Sequence, residues 1–189
     1  MKFLRKWGLV CSYTLGIFVI SPYLPQLIRT ASSQWSSSSV SHFVLGLEIA
    51  IALTILSLAV VFLIRRRKKS TLFLISVGGI FLLSVVIYQF IPNPYEFTHL
   101  PEYAILSILT LKAIDIHKDK YPGTKQQKNL QHLISKNPYL LSGLITGMVG
   151  TGDELYQHFL PGRFYDWHDV FLNILGGILG LLIYWAIKR

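Results

Sequence analysis

Residues 169–187 read DVFLNILGGILGLLIYWAI and are followed directly by Lys188 and Arg189. Nineteen residues with a single charge, at their start, are about as many as a helix needs to cross the hydrocarbon core of a bilayer. Residues 71–91 form a second such run, with no charge at all. In the whole chain of 189 residues 52% are hydrophobic and 14% are charged, whereas soluble domains have about 25% charged residues. This composition excludes an ordinary soluble domain and a disordered chain, and it predicts an all-α, polytopic membrane helix bundle.

About six apolar runs with the length of a transmembrane helix follow one another along the chain. The first has a basic start like that of a signal peptide, so cleavage there, or a re-entrant fourth run, would leave five spans. We favour six retained spans in a single membrane domain, with three in residues 1–91 and three in residues 92–189. Polar loops are expected between them, among them residues 29–42. The predicted spans are residues 7–28, 43–64, 71–91, 99–116, 138–152 and 169–187.

The basic residues give the chain an orientation. With the N-terminus in the cytoplasm, 16 of the 18 Lys and Arg residues fall on the cytoplasmic side, and only Arg29 and Arg163 fall outside. The positive-inside rule therefore predicts that the N and C termini are both cytoplasmic. Basic loops against an anionic inner leaflet explain the formal charge of +9, so the lipid bilayer is the expected partner and no nucleic acid is expected. The acidic residues show the opposite distribution. Seven of the nine fall in the outer half of the predicted bundle, which indicates an acidic site at the outer face.

The fifth and sixth runs each carry glycines at helical spacing, with polar residues at the outer end of the same face. Spacings of 4, 3 and 4 residues return to nearly the same direction on an α-helix. Small residues at such spacing allow helix backbones in a membrane to approach closely. We therefore predict that the two faces pack together and bring Glu154 towards Asp169 and Asn173, although a glycine seam with incidental polar ends is the alternative. The faces are Gly143, Gly147, Gly150 and Glu154 in the fifth run, and Asp169, Asn173, Gly176 and Gly180 in the sixth.

The fourth run adds polar residues to the same side of the membrane. His99, Glu102 and Tyr103 are spaced i, i+3 and i+4 and share one helix face. Asp153 and Glu154 are consecutive and point about 100° apart, so we expect Glu154 to face the pocket and Asp153 to face the loop. Taken singly, the His-Glu pair also fits a helix cap, and the loop arginine fits a salt bridge that fixes the loop. We predict one polar cluster at the outer interface, formed by His99, Glu102, Tyr103, Asp153, Glu154, Gln157, Arg163, Asp169 and Asn173.

The same residue types bind divalent metals, because carboxylate oxygens and imidazole nitrogens are common metal ligands. Glu154 and His158 share a helix face at i and i+4, and His99 and Glu102 share one at i and i+3. These four residues are weak candidates for metal ligands, and the sequence requires no cofactor. Cys11 is the only cysteine, so a cysteine-based metal site and an intramolecular disulfide are excluded.

These motifs resemble the VanZ-like family of small bacterial membrane proteins. The family pattern is similar to H-x-x-E-Y, then D-E-x-x-Q-x-F-x-P-G-R, then D-x-x-x-N-x-x-G-x-x-x-G. The corresponding stretches here are residues 99–103 (HLPEY), 153–163 (DELYQHFLPGR) and 169–180 (DVFLNILGGILG), and the match covers roughly residues 90–189. Members often have a lysine three residues before the histidine, a position that Glu96 occupies here. The resemblance implies a cell-envelope protein and, for the namesake, a role in low-level resistance to the glycopeptide teicoplanin.

We therefore expect a multi-pass integral protein of the bacterial cytoplasmic membrane with an outward-facing polar site. It would alter susceptibility to teicoplanin-type glycopeptides or handle a lipid-linked envelope component, with either molecule as its ligand at the outer leaflet. The alternative is a membrane-embedded enzyme that uses the cluster for acid–base or metal-assisted chemistry on a lipid or cell-wall precursor. A small transporter is a second alternative, and it is disfavoured because the sequence shows no internal repeat and no paired broken helices.

Overall fold

The computed structural model is helical throughout the part of the chain that it describes, namely residues 2–35, 94–120, 137–160 and 165–188 with isolated positions between 38 and 86. No strand occurs in these residues, which agrees with the predicted all-α class. A 3-10 turn at Pro94–Thr98 leads into the third helix. The α-helices in the described ranges are α1 (Lys2–Ile20), α2 (Leu24–Gln34), α3 (His99–Lys120), α4 (Pro138–His158) and α5 (Trp167–Lys188).

The first predicted span is divided into two helices. A turn at residues 21–23 interrupts the run that the sequence predicts as a single span over residues 7–28. α2 then continues to Gln34, so the prediction of a polar loop is wrong for residues 29–34. Pro25 explains where α2 starts, because a proline is tolerated in the first helical turn, where its missing N–H has no helical partner.

α3, α4 and α5 are mutual neighbours, and α1 packs against α3 and α4. α3 and α5 run parallel, since Ala104 and Asp115 of α3 lie against Gly180 and Lys188 of α5. α4 runs antiparallel to both, because its last turns lie beside the first turns of α3 and α5. The end of α1 reaches the same place. The starts of α3 and α5 and the ends of α1 and α4 therefore meet at one end of the bundle, which we name the polar end.

The predicted glycine seam between α4 and α5 is wrong in its partner. An added Cβ at Gly176 or Gly180 would collide with backbone of α3, at the carbonyl oxygens of Leu100 and Ala104 respectively. An added Cβ at Gly147 of α4 would meet nothing within 4 Å. The close approach that glycine permits is therefore made between α3 and α5.

The face that α4 turns to the bundle is rotated from the predicted one, since Gly150 and Glu154 belong to both faces but Gly147 faces open space. Serine and threonine are also small residues that let membrane helices pack closely, and they add hydrogen bonds across the interface. Gly150 belongs to both the predicted and the observed face, and an added Cβ there would lie 2.9 Å from the Cβ of Asn173. The buried residues of α4 are Ser142, Thr146, Gly150, Asp153, Glu154 and Gln157.

The outer faces of the helices are apolar, while the faces between helices carry many polar groups. Within the described residues α5 alone, over Trp167–Trp185, is long and apolar enough to cross a membrane. The second and third predicted spans, residues 43–64 and 71–91, lie outside the described residues except for isolated positions. The exposed apolar residues of α4 and α5 include Leu140, Leu144, Met148, Leu155, Phe171, Ile174 and Ile178.

Candidate functional site

The polar end brings together side chains from the start of α3, the end of α4 and the start of α5. Pro101 lies in the first turn of α3, where a backbone N–H has no helical partner, and so it is compatible with a helix that begins at His99. Glu102 is partly exposed, whereas the other described members of the predicted cluster are buried. These buried members are His99, Tyr103, Asp153, Glu154, Gln157, Asp169 and Asn173.

His99 lies between carboxylates of two helices. Its Nδ1 is 3.6 Å from Oε2 of Glu102 on α3, and its Nε2 is 3.9 Å from Oδ2 of Asp169 on α5. The side chain of His99 is 11% exposed, so water screens a charge on this ring only weakly. Its ring centroid is also 6.2 Å from that of Tyr103. His99 therefore links the first turns of α3 and α5 when its imidazole is protonated.

One amide gathers the two consecutive carboxylates of α4. Nε2 of Gln157 donates to Oδ2 of Asp153 at 3.0 Å and to Oε1 of Glu154 at 3.2 Å. The hydroxyl of Tyr103 donates to the same Oδ2 of Asp153 at 3.4 Å. The expectation that Asp153 faces the loop while Glu154 faces the pocket is therefore wrong for Asp153. Both carboxylates are buried there, because α4 is covered by α3 on one side and by α5 on the other.

Three side chains at the polar end lie close enough together to hold one metal ion. His99, Asp153 and Glu154 each offer one ligand atom, and these atoms lie within 4.8 Å of one another. The sequence predicts His99 and Glu154 as metal ligands but assigns Asp153 to the cluster only. His158 is exposed and lies outside this group, because it is the last residue of α4, one turn beyond Glu154. Glu102 lies beside His99 and is also outside the group.

Oδ1 of Asp153 and Oδ1 of Asn173 have no hydrogen-bond partner in the part of the chain that the structure describes, although these residues are 0% and 2% exposed. Nδ2 of Asn173 is used, since it donates to the carbonyl oxygen of Gly150 at 3.3 Å. A buried acceptor without a partner is unfavourable, and a water molecule, an ion or a ligand can supply that partner. Arg163, which the sequence places in the cluster, lies outside the described residues.

Three residues at the interfaces between the helices escaped the sequence prediction. The hydroxyl of Tyr13 on α1 donates to the carbonyl oxygen of Glu102 at 3.2 Å, and nothing in its apolar run marks this tyrosine. Ser142 on α4 donates to the carbonyl oxygen of Ser107 on α3 at 2.9 Å. Thr146 is buried on the same face of α4. The spacing of Ser142 and Thr146 is a readable signal, because small hydroxyl residues four apart pack membrane helices as glycines do.

Most of the described bundle falls within a known family pattern. A family model described as VanZ/LLP1 matches residues 11–188. No curated protein and no solved structure matches the chain. The match extends the resemblance from the C-terminal half, which contains the polar end, to the N-terminal half and the second half of α1. The chain therefore belongs to the VanZ/LLP1 family.

Proposed function

We propose that this chain is a multi-pass protein of the bacterial cytoplasmic membrane, with six spans, cytoplasmic termini and the polar end at the outer face. Three observations support this topology. α5 has the length and composition of a membrane span, and 16 of the 18 basic residues fall on one predicted side. α1 runs towards the polar end and α5 runs away from it, as a cytoplasmic start and a cytoplasmic end require.

Cysteine labelling with a membrane-impermeant reagent tests this topology. In a Cys11→Ser background, Tyr165→Cys should label in intact cells, because it precedes α5 at the polar end. Gln127→Cys should label only after lysis, because its predicted loop is cytoplasmic. Labelling of Gln127→Cys from outside would place the polar end in the cytoplasm instead.

The function that we propose is binding of a polar group at the outer leaflet, which alters susceptibility to teicoplanin-type glycopeptides or handles a lipid-linked envelope component. The observation that carries it is the gathering of buried Asp153, Glu154, Asp169 and His99 from three helices at one end of the bundle. Burial of so many ionisable groups in a membrane protein is unfavourable unless they serve a ligand, an ion or a proton. Family membership supports the link to teicoplanin.

Antibiotic susceptibility tests this function in cells. The wild-type chain, expressed in a teicoplanin-sensitive host, should raise the minimal inhibitory concentration of teicoplanin. Glu154→Gln should remove this increase, because it deletes one buried charge and keeps the side-chain shape. Asp115→Asn is the matched control, since it also neutralises an acid but lies about 24 Å along α3 from His99, away from the polar end. Equal protection by wild type and Glu154→Gln, at equal membrane levels, would contradict the proposal.

A membrane-embedded enzyme is the second candidate, because three ligand atoms of His99, Asp153 and Glu154 lie within 4.8 Å of one another. An imidazole beside two carboxylates has the residue types that transfer protons or hold a catalytic metal. Purified protein should then change the mass of a lipid-linked cell-wall precursor, and Glu154→Gln should not. An unchanged precursor with the wild-type protein would leave the binding function as the better description.

A further inference from the structure

We propose that His99, Asp153 and Glu154 form a binding site for one divalent transition metal ion, with Zn²⁺ as the best-matched ion. Their ligand atoms lie within 4.8 Å of one another in a buried setting. A zinc ion about 2.0–2.2 Å from each ligand holds those ligands about 3–4 Å apart. Small side-chain rotations therefore bring all three atoms onto one ion. The location of this metal at the outer face rests on the proposed function.

The hydrogen bonds around Asp153 leave one of its oxygens for a metal. Oδ2 accepts from Tyr103 and from Gln157, at 3.4 Å and 3.0 Å. Oδ1 has no hydrogen-bond partner among the described residues, although the residue is 0% exposed. This pattern orients the carboxylate with one oxygen held and the other open. Oδ1 of Asn173, also buried and without a partner in the described ranges, is a second acceptor at the polar end.

Neighbouring side chains fix the other two ligands as well. Gln157 donates to Glu154, so one amide sets the positions of both carboxylates. Carboxylates lie beside both nitrogens of the His99 ring, at 3.6 Å and 3.9 Å. A carboxylate next to the nitrogen that does not bind the metal is a common arrangement, because it orients the ring and raises its basicity. The ligands are thus positioned by a surrounding set of polar contacts, as in natural metal sites.

The donor set decides which ion fits. An imidazole nitrogen favours zinc and other transition metals, whereas magnesium and calcium prefer sites made only of oxygen. One histidine and two carboxylates give three protein ligands. In zinc enzymes three protein ligands leave a fourth position open for water or substrate. A metal here would also offset the mutual repulsion of the buried carboxylates.

Zinc binding to the purified full-length chain tests this proposal. The protein, stripped with a chelator in detergent, is titrated with Zn²⁺ by calorimetry. The wild type should bind about one Zn²⁺ per chain. Glu154→Gln and Asp153→Asn should each weaken binding by about tenfold or more, because an amide is a poorer ligand than a carboxylate. Mg²⁺ at the same concentration should not displace the zinc.

His158→Ala is the matched control, because it removes an exposed histidine one turn from Glu154. It should keep the wild-type zinc affinity. Thermal melting of each variant without metal shows that it is folded. The proposal is overturned if the wild type binds no zinc, or if folded Glu154→Gln and Asp153→Asn both bind it as the wild type does. If Glu154→Gln loses zinc binding but still protects cells against teicoplanin, the proposed cellular function is overturned and the metal site is supported.

Discussion

The bundle holds carboxylates between its helices at both ends, but it surrounds them differently at each end. At the end away from the polar cluster, Oδ2 of Asp115 accepts from the hydroxyl of Tyr184 at 2.7 Å and from Nζ of Lys188. Lys188 is half-exposed, with 54% of its side chain accessible. At the polar end, Asp153 and Glu154 are fully buried and share the amide of Gln157.

The difference separates a local ion pair from a built site. Asp115 meets a lysine and a phenol near water, which is the usual solution for a carboxylate that joins two helices. Asp153 keeps Oδ1 without a hydrogen-bond partner in the described part of the chain, although that residue is 0% exposed. Buried acceptors are normally satisfied, and the proposed binding of an ion or ligand would supply the partner that Oδ1 of Asp153 lacks among the described residues.

The largest effect is expected from a change that forces α3 and α5 apart. Gly180→Leu should abolish folded protein or lower its free energy of unfolding by about 3 kcal/mol or more, because the added side chain meets the Ala104 carbonyl and the Ser107 hydroxyl. Gly147→Leu is the matched control and should melt close to the wild type, since nothing lies within 4 Å of its added Cβ. Thermal melting in detergent checks both. Equal melting of the two variants would show that α3 and α5 are not closely packed.

A change at the polar end is expected to have a smaller effect on stability, because it removes hydrogen bonds without forcing helices apart. Gln157→Leu removes the donor that two carboxylates share, and it should lower the free energy of unfolding by about 1–3 kcal/mol. The same change should weaken zinc binding, because Gln157 orients both acidic ligands. Gln157→Glu is a second variant that keeps the size but replaces the donor by a charge. If both variants melt as the wild type does, the shared amide does not hold the carboxylates.

The smallest effect concerns the other end of the pair. Asp115→Asn should lower the free energy of unfolding by less than about 1 kcal/mol, because solvent at half-exposed Lys188 screens the ion pair. The difference from the wild type should shrink as salt is raised, since the pair lies near water. Melting curves at low and high salt measure this. A loss of several kcal/mol that salt does not change would show that this end is as buried as the polar end.

Sequence reasoning predicted which residues gather but not how one helix is rotated. The spacings around His99, Asp153 and Asp169 indicated one cluster, and the structure places all three residues at the polar end. The face of α4 was predicted from Gly143, Gly147, Gly150 and Glu154, and of these Gly147 faces open space in the structure. Ser142 and Thr146 are four residues apart, as Gly143 and Gly147 are, and Ser142 also donates a hydrogen bond to α3. Because serine and threonine were not counted as small residues, the predicted face of α4 starts at Gly143 instead of Ser142, one residue from the observed face.

The N-terminal half shows a different limit of sequence reasoning. The break between α1 and α2 was missed although Pro22 and Pro25 lie beside it, because the apolar run was read as one span. Tyr13 was missed because its role depends on a backbone carbonyl of a distant helix, at Glu102. No local pattern encodes such a contact. Glu154 and Asp153 were both found, but their shared partner could be seen only once α4 was placed against α3 and α5.

The melting temperature of metal-free Glu154→Gln, compared with that of Asp115→Asn, tests the central claim most directly. A binding site that holds carboxylates together for a ligand is a source of instability when the ligand is absent. Glu154→Gln should therefore raise the melting temperature, by about 2–4 °C for each kcal/mol of repulsion relieved. Asp115→Asn should lower it slightly. A fall with Glu154→Gln at least as large as that with Asp115→Asn would show that the polar end is a satisfied structural network and would contradict the claim.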